Sequence, residues 1–511
     1  MSSDPLTEPV PTVPTSTERV PTEPAPSEHS LSPAENRRVR LLTVGAVALV
    51  SLIAFESLAV STVMPAVAAA LDGLPLYALG FGATVATSVV GMAVCGAWAD
   101  ARGPRRPILA AVALFTAGLL LAGLAPTMTV FVAARALQGL GGGMLIVALY
   151  AMLGTSVPEP VRPRVLAAFS AAWVVPGLVG PSLAGLMLHL WGWRSVFLLV
   201  PAVAVPGAVL TLVAVRDRAP DDGAAGRTDG RTDGRTDGDP DDGPDGAPRR
   251  SAGVGRRIAL ATVAGAGATV LQLAGSRDSA PWRAGAVVAL VVVLAAAVRM
   301  LPAGTFRLVR GVPSVVALRG LIAAGFAAGE TFVPLVLVRE HGWSPTRAGL
   351  ALTVGAVTWA AFSFRQGRVP EVDRRYGFAR TGSVSVAVGL VVALTCALPG
   401  APGWLAVLAW AFAGAGMGLA YASTSLLTLH LAAPERRGEA SADLTTSEAL
   451  TTAVALAAAG TVFAALLPRG LGPDDPAGPA PYLAAFGVAV VVGLGSVVAA
   501  RRLRTPSAPV R

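Results

Sequence analysis

The chain has 511 residues, of which 53% are hydrophobic and 14% charged, with a net charge of +9 and a mean hydropathy of +0.63. A soluble domain carries about 25% charged residues, so the composition is that of a polytopic membrane protein with charge confined to turns. All 40 basic residues are arginine, which excludes a phosphate loop and its ATP-driven pump, and equally a lysine Schiff base.

The positive charge is scattered among loops and forms no stripe, so nucleic acid is not an expected partner. Cys95 and Cys396 stand alone in apolar runs, and His29, His189, His341 and His430 lack metal-ligand spacing. No metal or cofactor is expected, and the chain is expected to be no enzyme, because no polar catalytic cluster occurs.

Residues 1–36 are rich in Pro, Thr, Ser and Glu and read as a disordered cytoplasmic tail, too polar to offset the entropy of ordering. No apolar core follows a basic start there, so it is not a signal peptide. Residues 37–216 read as a six-helix bundle. Its spans are Leu41–Leu71, Tyr77–Trp98, Ile108–Leu124, Met128–Val157, Val165–Leu190 and Ser195–Val215; about 20 apolar residues suffice to cross the hydrocarbon. Residues 217–255, with RTDG three times between Arg227 and Gly238, read as a flexible cytoplasmic linker.

Two weaker runs, Ile258–Gly275 and Trp282–Val298, make residues 256–299 a pair of extra transmembrane helices. Residues 300–504 hold six more spans, from Pro313–Val338 to Tyr482–Ala500, and 505–511 form a short tail. Ser344–Pro345 marks a helix start, with serine as cap and proline in the first turn. The expected fold is all-α: two six-helix bundles plus two central helices, about fourteen crossings. Arginine-rich turns alternate with arginine-poor ones, which puts both termini on the cytoplasmic side of the inner (plasma) membrane. Twelve crossings would preserve that alternation and remain the competing count.

The turn after the second span carries Gly96, Asp100, Gly103, Arg105 and Arg106, with Ala101 and Pro104 between them. It resembles the loop signature of the major facilitator superfamily, although Ala101 and Pro104 stand where basic residues are usual. ARALQGLGGG in the fourth span, with Arg135, Gln138, Gly139 and Gly141, is similar to a second motif of that family. VGPSLAG, with Gly180, Pro181 and Gly185, resembles the signature of drug:proton antiporters. GWRSVF from Gly192 resembles the entry to the sixth helix of fourteen-span exporters, and Asp373-Arg374-Arg375-Tyr376-Gly377 echoes the first turn in the second half.

The resemblance implies proton-coupled export of drug-like or amphipathic molecules by antiport, in the manner of multidrug efflux and antibiotic resistance proteins. A dedicated exporter of one endogenous metabolite or antibiotic is the alternative, and a proton-linked uptake symporter the less favoured one. The expected partners are a small-molecule substrate, protons and membrane lipid, and the chain is expected to be monomeric.

Glu56 lies midway along a long apolar run, where a carboxylate costs several kcal/mol unless neutralised or paired, which suits reversible proton loading. Glu330, in the outer half of the span that opens the second bundle, is its counterpart. Both acids precede a proline (Pro65, Pro334), and the two are expected to face a shared cavity. Arg135 either couples this proton site to substrate, as the resemblance implies, or snorkels to the outer interface.

Gly180 and Pro181 kink a helix; by resemblance, they and Gly185 seal the outer half of the cavity. By the same resemblance Asp100 with Arg105 and Arg106 forms a cytoplasmic latch between the halves. Trp173 and Trp359, with Phe55 and Phe332, are weaker candidates to line a substrate cavity. Arg319 reads as interfacial, and Asp443 and Glu448 as acids suited to a helix N-terminus.

Overall fold

The computed structural model describes residues 32–215, 246–275, 280–472 and 475–503. Most of the N-terminal tail, the RTDG repeats and residues 505–511 lie outside the described residues. Apart from short 3-10 turns, every regular element described is an α-helix. In chain order they are α1 (Pro33–Ala70), α2 (Tyr77–Arg102), α3 (Arg105–Gly123), α4 (Met128–Ser156), α5 (Arg162–Trp191), α6 (Arg194–Ala214), α7 (Gly246–Gly275) and α8 (Ala280–Met300). The second half follows as α9 (Val312–Arg339), α10 (Pro345–Gly367), α11 (Val372–Thr395), α12 (Leu405–Leu431), α13 (Arg437–Ala465) and α14 (Pro479–Arg501).

Local chemistry sets the helix ends. Ser32 and Glu35 form a reciprocal capping box, so α1 begins at Pro33, earlier than the apolar run suggests. Thr127 caps α4, and Ser344 caps α10 ahead of Pro345, as its sequence indicates. Gly103 ends α2 with φ +75° and Gly192 ends α5 with φ +78°, a region that favours glycine.

The two halves repeat one packing scheme. In the first, α1 packs on α5 and α6, α2 on α4, and α3 on α4 and α6. In the second, α9 packs on α13 and α14, α10 on α12, and α11 on α12 and α14. The halves meet along two seams, α2 with α13 and α5 with α10.

Among the described residues, twelve helices are long and apolar enough to cross a membrane. The extra pair is present, docked with α7 against α2 and α13, and among the described residues it carries the apolar stretches Ile258–Leu271 and Ala284–Met300. α8 runs 21 residues, about 31 Å at 1.5 Å per residue, comparable to ~30 Å of hydrocarbon. α7 also begins at Gly246, inside the stretch read from sequence as linker.

The seams are tight at the end remote from the arginine-rich turns. There the Tyr77 hydroxyl donates to the Thr331 carbonyl of the other half at 2.9 Å. A Cβ on Gly460 of α13 would lie 2.6 Å from Ala78 of α2, and one on Gly185 of α5 would lie 2.6 Å from Thr346 of α10. At the basic end the halves part around a cavity of about 950 Å³, lined by Met92, Gly96 and Asp100 of α2, Arg299 at the end of α8, and Asp443 and Thr446 of α13.

Candidate functional site

Small residues place the functional side chains of the first half. Cβ atoms on Gly139 and Gly143 of α4 would lie 2.2 and 2.1 Å from the Thr84 and Ser88 carbonyls of α2, and one on Gly141 would lie 2.4 Å from Phe115 of α3. The backbones therefore touch, as small residues permit in membrane bundles. Thr84 and Thr87 then donate to the Arg135 and Ala136 carbonyls at 3.2 and 2.7 Å, fixing the register of α4 on α2.

That register turns Arg135 inward. Its Nη1 donates to Glu56 of α1 and to the Gln138 side-chain oxygen, and its Nε donates to the Gly80 carbonyl at 3.2 Å. Glu56 is 4% exposed, Arg135 3% and Gln138 0%. Arg135 thus does not snorkel to an interface: it forms a buried ion pair with the acid in the middle of α1. The Gln138 Nε2 is buried without a hydrogen-bond partner. Removing either member of such a pair strands the other in a poorly solvating interior.

The glycines return 275 residues later as Gly414, Gly416 and Gly418 (414 − 139, 416 − 141 and 418 − 143), pressed on α10 and α11 as their counterparts are on α2 and α3. At the same interval, Trp410 and Ala413 occupy the places of Arg135 and Gln138. The second half has no charge there. A partly buried ion pair lies elsewhere in this half: Arg319 Nε of α9 donates to Glu448 of α13 at 2.9 Å. Arg319 Nη1 also donates to the Tyr421 carbonyl at 2.7 Å, Thr424 Oγ1 at 3.1 Å and Ser425 Oγ at 3.3 Å.

The Arg319 guanidinium lies 3.1 Å from the centroid of the Tyr421 ring, and the Tyr421 hydroxyl donates to both Glu448 oxygens at 3.1 and 3.2 Å. Neither reading of the isolated residues survives: Arg319 is buried, not interfacial, and Glu448 is an ion-pair partner twelve positions into the numbering of α13, beyond the reach of its N-terminus. Arg135 and Arg319 each stand seven residues into their helices, α4 and α9. Because those helices start at opposite ends of the bundle, the two pairs lie about 10 Å in from opposite ends.

Glu330 has no hydrogen-bond or ion-pair partner among the described residues, and no such contact joins it to Glu56. It lies nine residues before Arg339, the end of α9, whereas Glu56 lies fourteen before Ala70, the end of α1. The two acids therefore differ in depth by about 7.5 Å along the helix axis. Neither lines the cavity at the basic end.

Asp100 and Gly96 do line that cavity. Arg105 and Arg106 open α3, exposed beside Asp100. In α5, Gly185 touches α10 while Pro181 lies 3.3 Å from a Cβ on Gly349; Gly180 faces Phe55 of α1 at an ordinary 3.6 Å. Trp359 packs on Phe326 and Tyr421 with ring centroids 5.5 Å apart in each case. Trp173 is about half exposed on α5, at the place equivalent to Glu448. Phe332 is fully buried in an aromatic cluster with Tyr77 and Phe463.

Two repeated six-helix halves, with a buried Glu56–Arg135 pair in the first and a partly buried Arg319–Glu448 pair in the second, joined at two small-residue seams and parted at one end, define a membrane transporter. The family profile described as Major Facilitator Superfamily matches residues 44–441, and the chain belongs to that superfamily. It is 33% identical over 166 residues to the multidrug resistance protein Stp of Mycobacterium tuberculosis, covering 31% of this chain and 30% of Stp. It is 36% identical over 149 residues to the drug efflux pump JefA of the same species, covering 28% of each. The chain thus spans about three-tenths of the length of these curated relatives.

Among solved structures, a bacterial homologue of the human lysosomal transporter Spinster aligns over 93% of this chain and 97% of its own, with a TM-score of 0.62 and 14% identity. A D-xylose-proton symporter aligns over 91% and 98%, with a TM-score of 0.59 and 16% identity. These likenesses establish the fold.

Proposed function

We propose that this protein exports drug-like, amphipathic small molecules in exchange for protons, by alternating access across the inner membrane, as a monomer with both termini cytoplasmic. The carrying observation is the buried Glu56–Arg135 pair with Gln138 beside it. A proton and Arg135 compete for one carboxylate. When Glu56 takes the proton, Arg135 is left with the Gly80 carbonyl and the Gln138 oxygen, and the tie between α1 and α4 loosens. Glu330, a carboxyl with no hydrogen-bond or ion-pair partner among the described residues, supplies a further proton-carrying position.

The Gly180–Pro181–Gly185 segment and its seam with α10 act as the outer seal. Gly96, Asp100, Gly103, Arg105 and Arg106 form the gate at the cytoplasmic end, which stands open around the cavity described above. Trp173 and Trp359 line the substrate path. The likeness to the multidrug resistance protein Stp and the drug efflux pump JefA favours efflux of drugs as the direction and cargo.

The test is uphill dye movement in proteoliposomes holding the full chain under an imposed pH difference. Accumulation that requires the difference and is lost in the Glu56→Gln, Glu330→Gln double variant supports the proposal. Accumulation by that variant equal to wild type refutes it.

A further inference from the structure

The ion pair of the second half is lopsided in a way that bears on what it can bind. Arg319 has three acceptors besides Glu448, namely the Tyr421 carbonyl, Thr424 Oγ1 and Ser425 Oγ, and it also rests on the Tyr421 ring. Its charge remains well accommodated whether or not Glu448 is present. Glu448 has two partners, Arg319 Nε and the Tyr421 hydroxyl, and its side chain is 28% exposed while that of Arg319 is 5%. Of the two, Glu448 is the member free to change partners.

The surroundings point to what it would change to. Trp359, half-buried, stands 5.5 Å from the Tyr421 ring, and Phe326 and Trp410 continue the aromatic wall at 5.5 and 5.4 Å. A carboxylate that opens beside aromatic faces suits an organic cation, which gains charge pairing from the acid and cation–π attraction from the rings. The first half offers no such place, since Ile146 and Trp173 stand where Tyr421 and Glu448 stand in the second.

We propose that Glu448, with Tyr421 and Trp359, forms a recognition site for aromatic organic cations, in which the bound cation displaces Arg319 as the partner of Glu448. This deepens the export reading by assigning a class of cargo to one place in the second half, and it rests on that reading. Arg319 is then an internal rival of the ligand, holding the site neutral while it is empty.

The rivalry gives the test an outcome that a purely structural ion pair does not produce. Equilibrium binding of radiolabelled tetraphenylphosphonium to the purified full chain in detergent is compared with that of neutral triphenylphosphine oxide. No pH difference is imposed, so the result is independent of proton coupling and of transport direction. Wild type is expected to favour the cation.

Glu448→Gln should lower the cation-to-neutral affinity ratio about tenfold, roughly 1.4 kcal/mol, and Glu448→Asp should largely preserve it. The Arg319→Gln, Glu448→Gln double variant strands no buried charge and should lose the ratio as the first does, which covers the case in which Glu448→Gln alone fails to fold. Arg319→Gln alone should raise the ratio by removing the rival. A wild-type protein with no preference for the cation overturns the proposal. So does a ratio unmoved in the folded double variant, or one lowered by Arg319→Gln.

Discussion

Gly185 of α5 and Thr346 of α10 meet across the two halves so closely that a Cβ on the glycine would lie 2.6 Å from the threonine hydroxyl and 2.8 Å from its Cα. The opposite seam repeats the arrangement 275 residues on, where Gly460 of α13 meets Ala78 of α2. Gly180 makes no such contact. Gly185→Val or Gly460→Val should therefore hold the outer seam apart and lower reconstituted transport about tenfold, some 1.4 kcal/mol. Gly180→Ala should change stability by less than about 1 kcal/mol and leave transport near wild type. Equal damage at Gly180 and Gly185 would shift the seal to a different face of α5.

The Glu56–Arg135 pair makes a prediction by thermodynamic cycle. Glu56→Gln leaves a buried guanidinium with neutral partners, and a break of this kind costs about 3–5 kcal/mol. Adding Arg135→Gln removes the stranded charge, so the double variant should recover much of that loss. Thermal unfolding in detergent measures the coupling. Additive losses from the two substitutions would mean that the residues act independently in the folded protein.

The duplicated glycine rhythm can be checked in both halves at once. A Cβ would come within 2.1 Å of a neighbouring carbonyl at Gly143 and at Gly414, whereas at Gly154 nothing lies within 4 Å. Gly143→Ala and Gly414→Ala should both lower the melting temperature, with α4 forced off α2 and α12 off α10. Gly154→Ala, in the same helix as Gly143, should raise it slightly, since alanine exceeds glycine in helix propensity by about 1 kcal/mol. The reverse order in melting temperatures would contradict the packing described.

Much of this architecture is legible in the sequence, because hydropathy and arginine-rich turns are local signals. The span positions, the Ser344 cap and the Gly103 turn follow from neighbouring residues. Pairing is not local. Glu56 and Arg135 stand out separately as polar groups in apolar runs, but which acid meets which arginine depends on how α4 docks on α2, which glycine contacts decide.

Arg319 and Glu448, 129 residues apart, look ordinary near their helix starts, and their union is invisible without the packing. A signal for the second half was present: GLGGG at 139–143 and GAGMG at 414–418 share a spacing, and aligning them exposes Trp410 in the place of Arg135. The count of crossings is blurred for a different reason. The extra pair is helical, yet its apolar runs are weaker than those of the other twelve spans, so hydropathy alone leaves twelve and fourteen in competition.

On the proposed reading, Asp100 serves the gate while the neighbouring arginines set orientation. It is exposed and lines the cavity at the basic end, so Asp100→Asn breaks no buried contact, and the neighbouring arginines remain. Transport should fall several-fold while the melting temperature stays within about 1 °C, a shift corresponding to a few tenths of a kcal/mol. A large fall in melting temperature would make Asp100 a structural residue instead.

Proton release from the purified, reconstituted chain on adding lipophilic compounds tests the central claim most directly. The account predicts that wild type releases protons as substrate binds, and that it moves substrate uphill only while a pH difference is maintained. Identical substrate movement with the pH difference collapsed, and no proton release on binding, would contradict it.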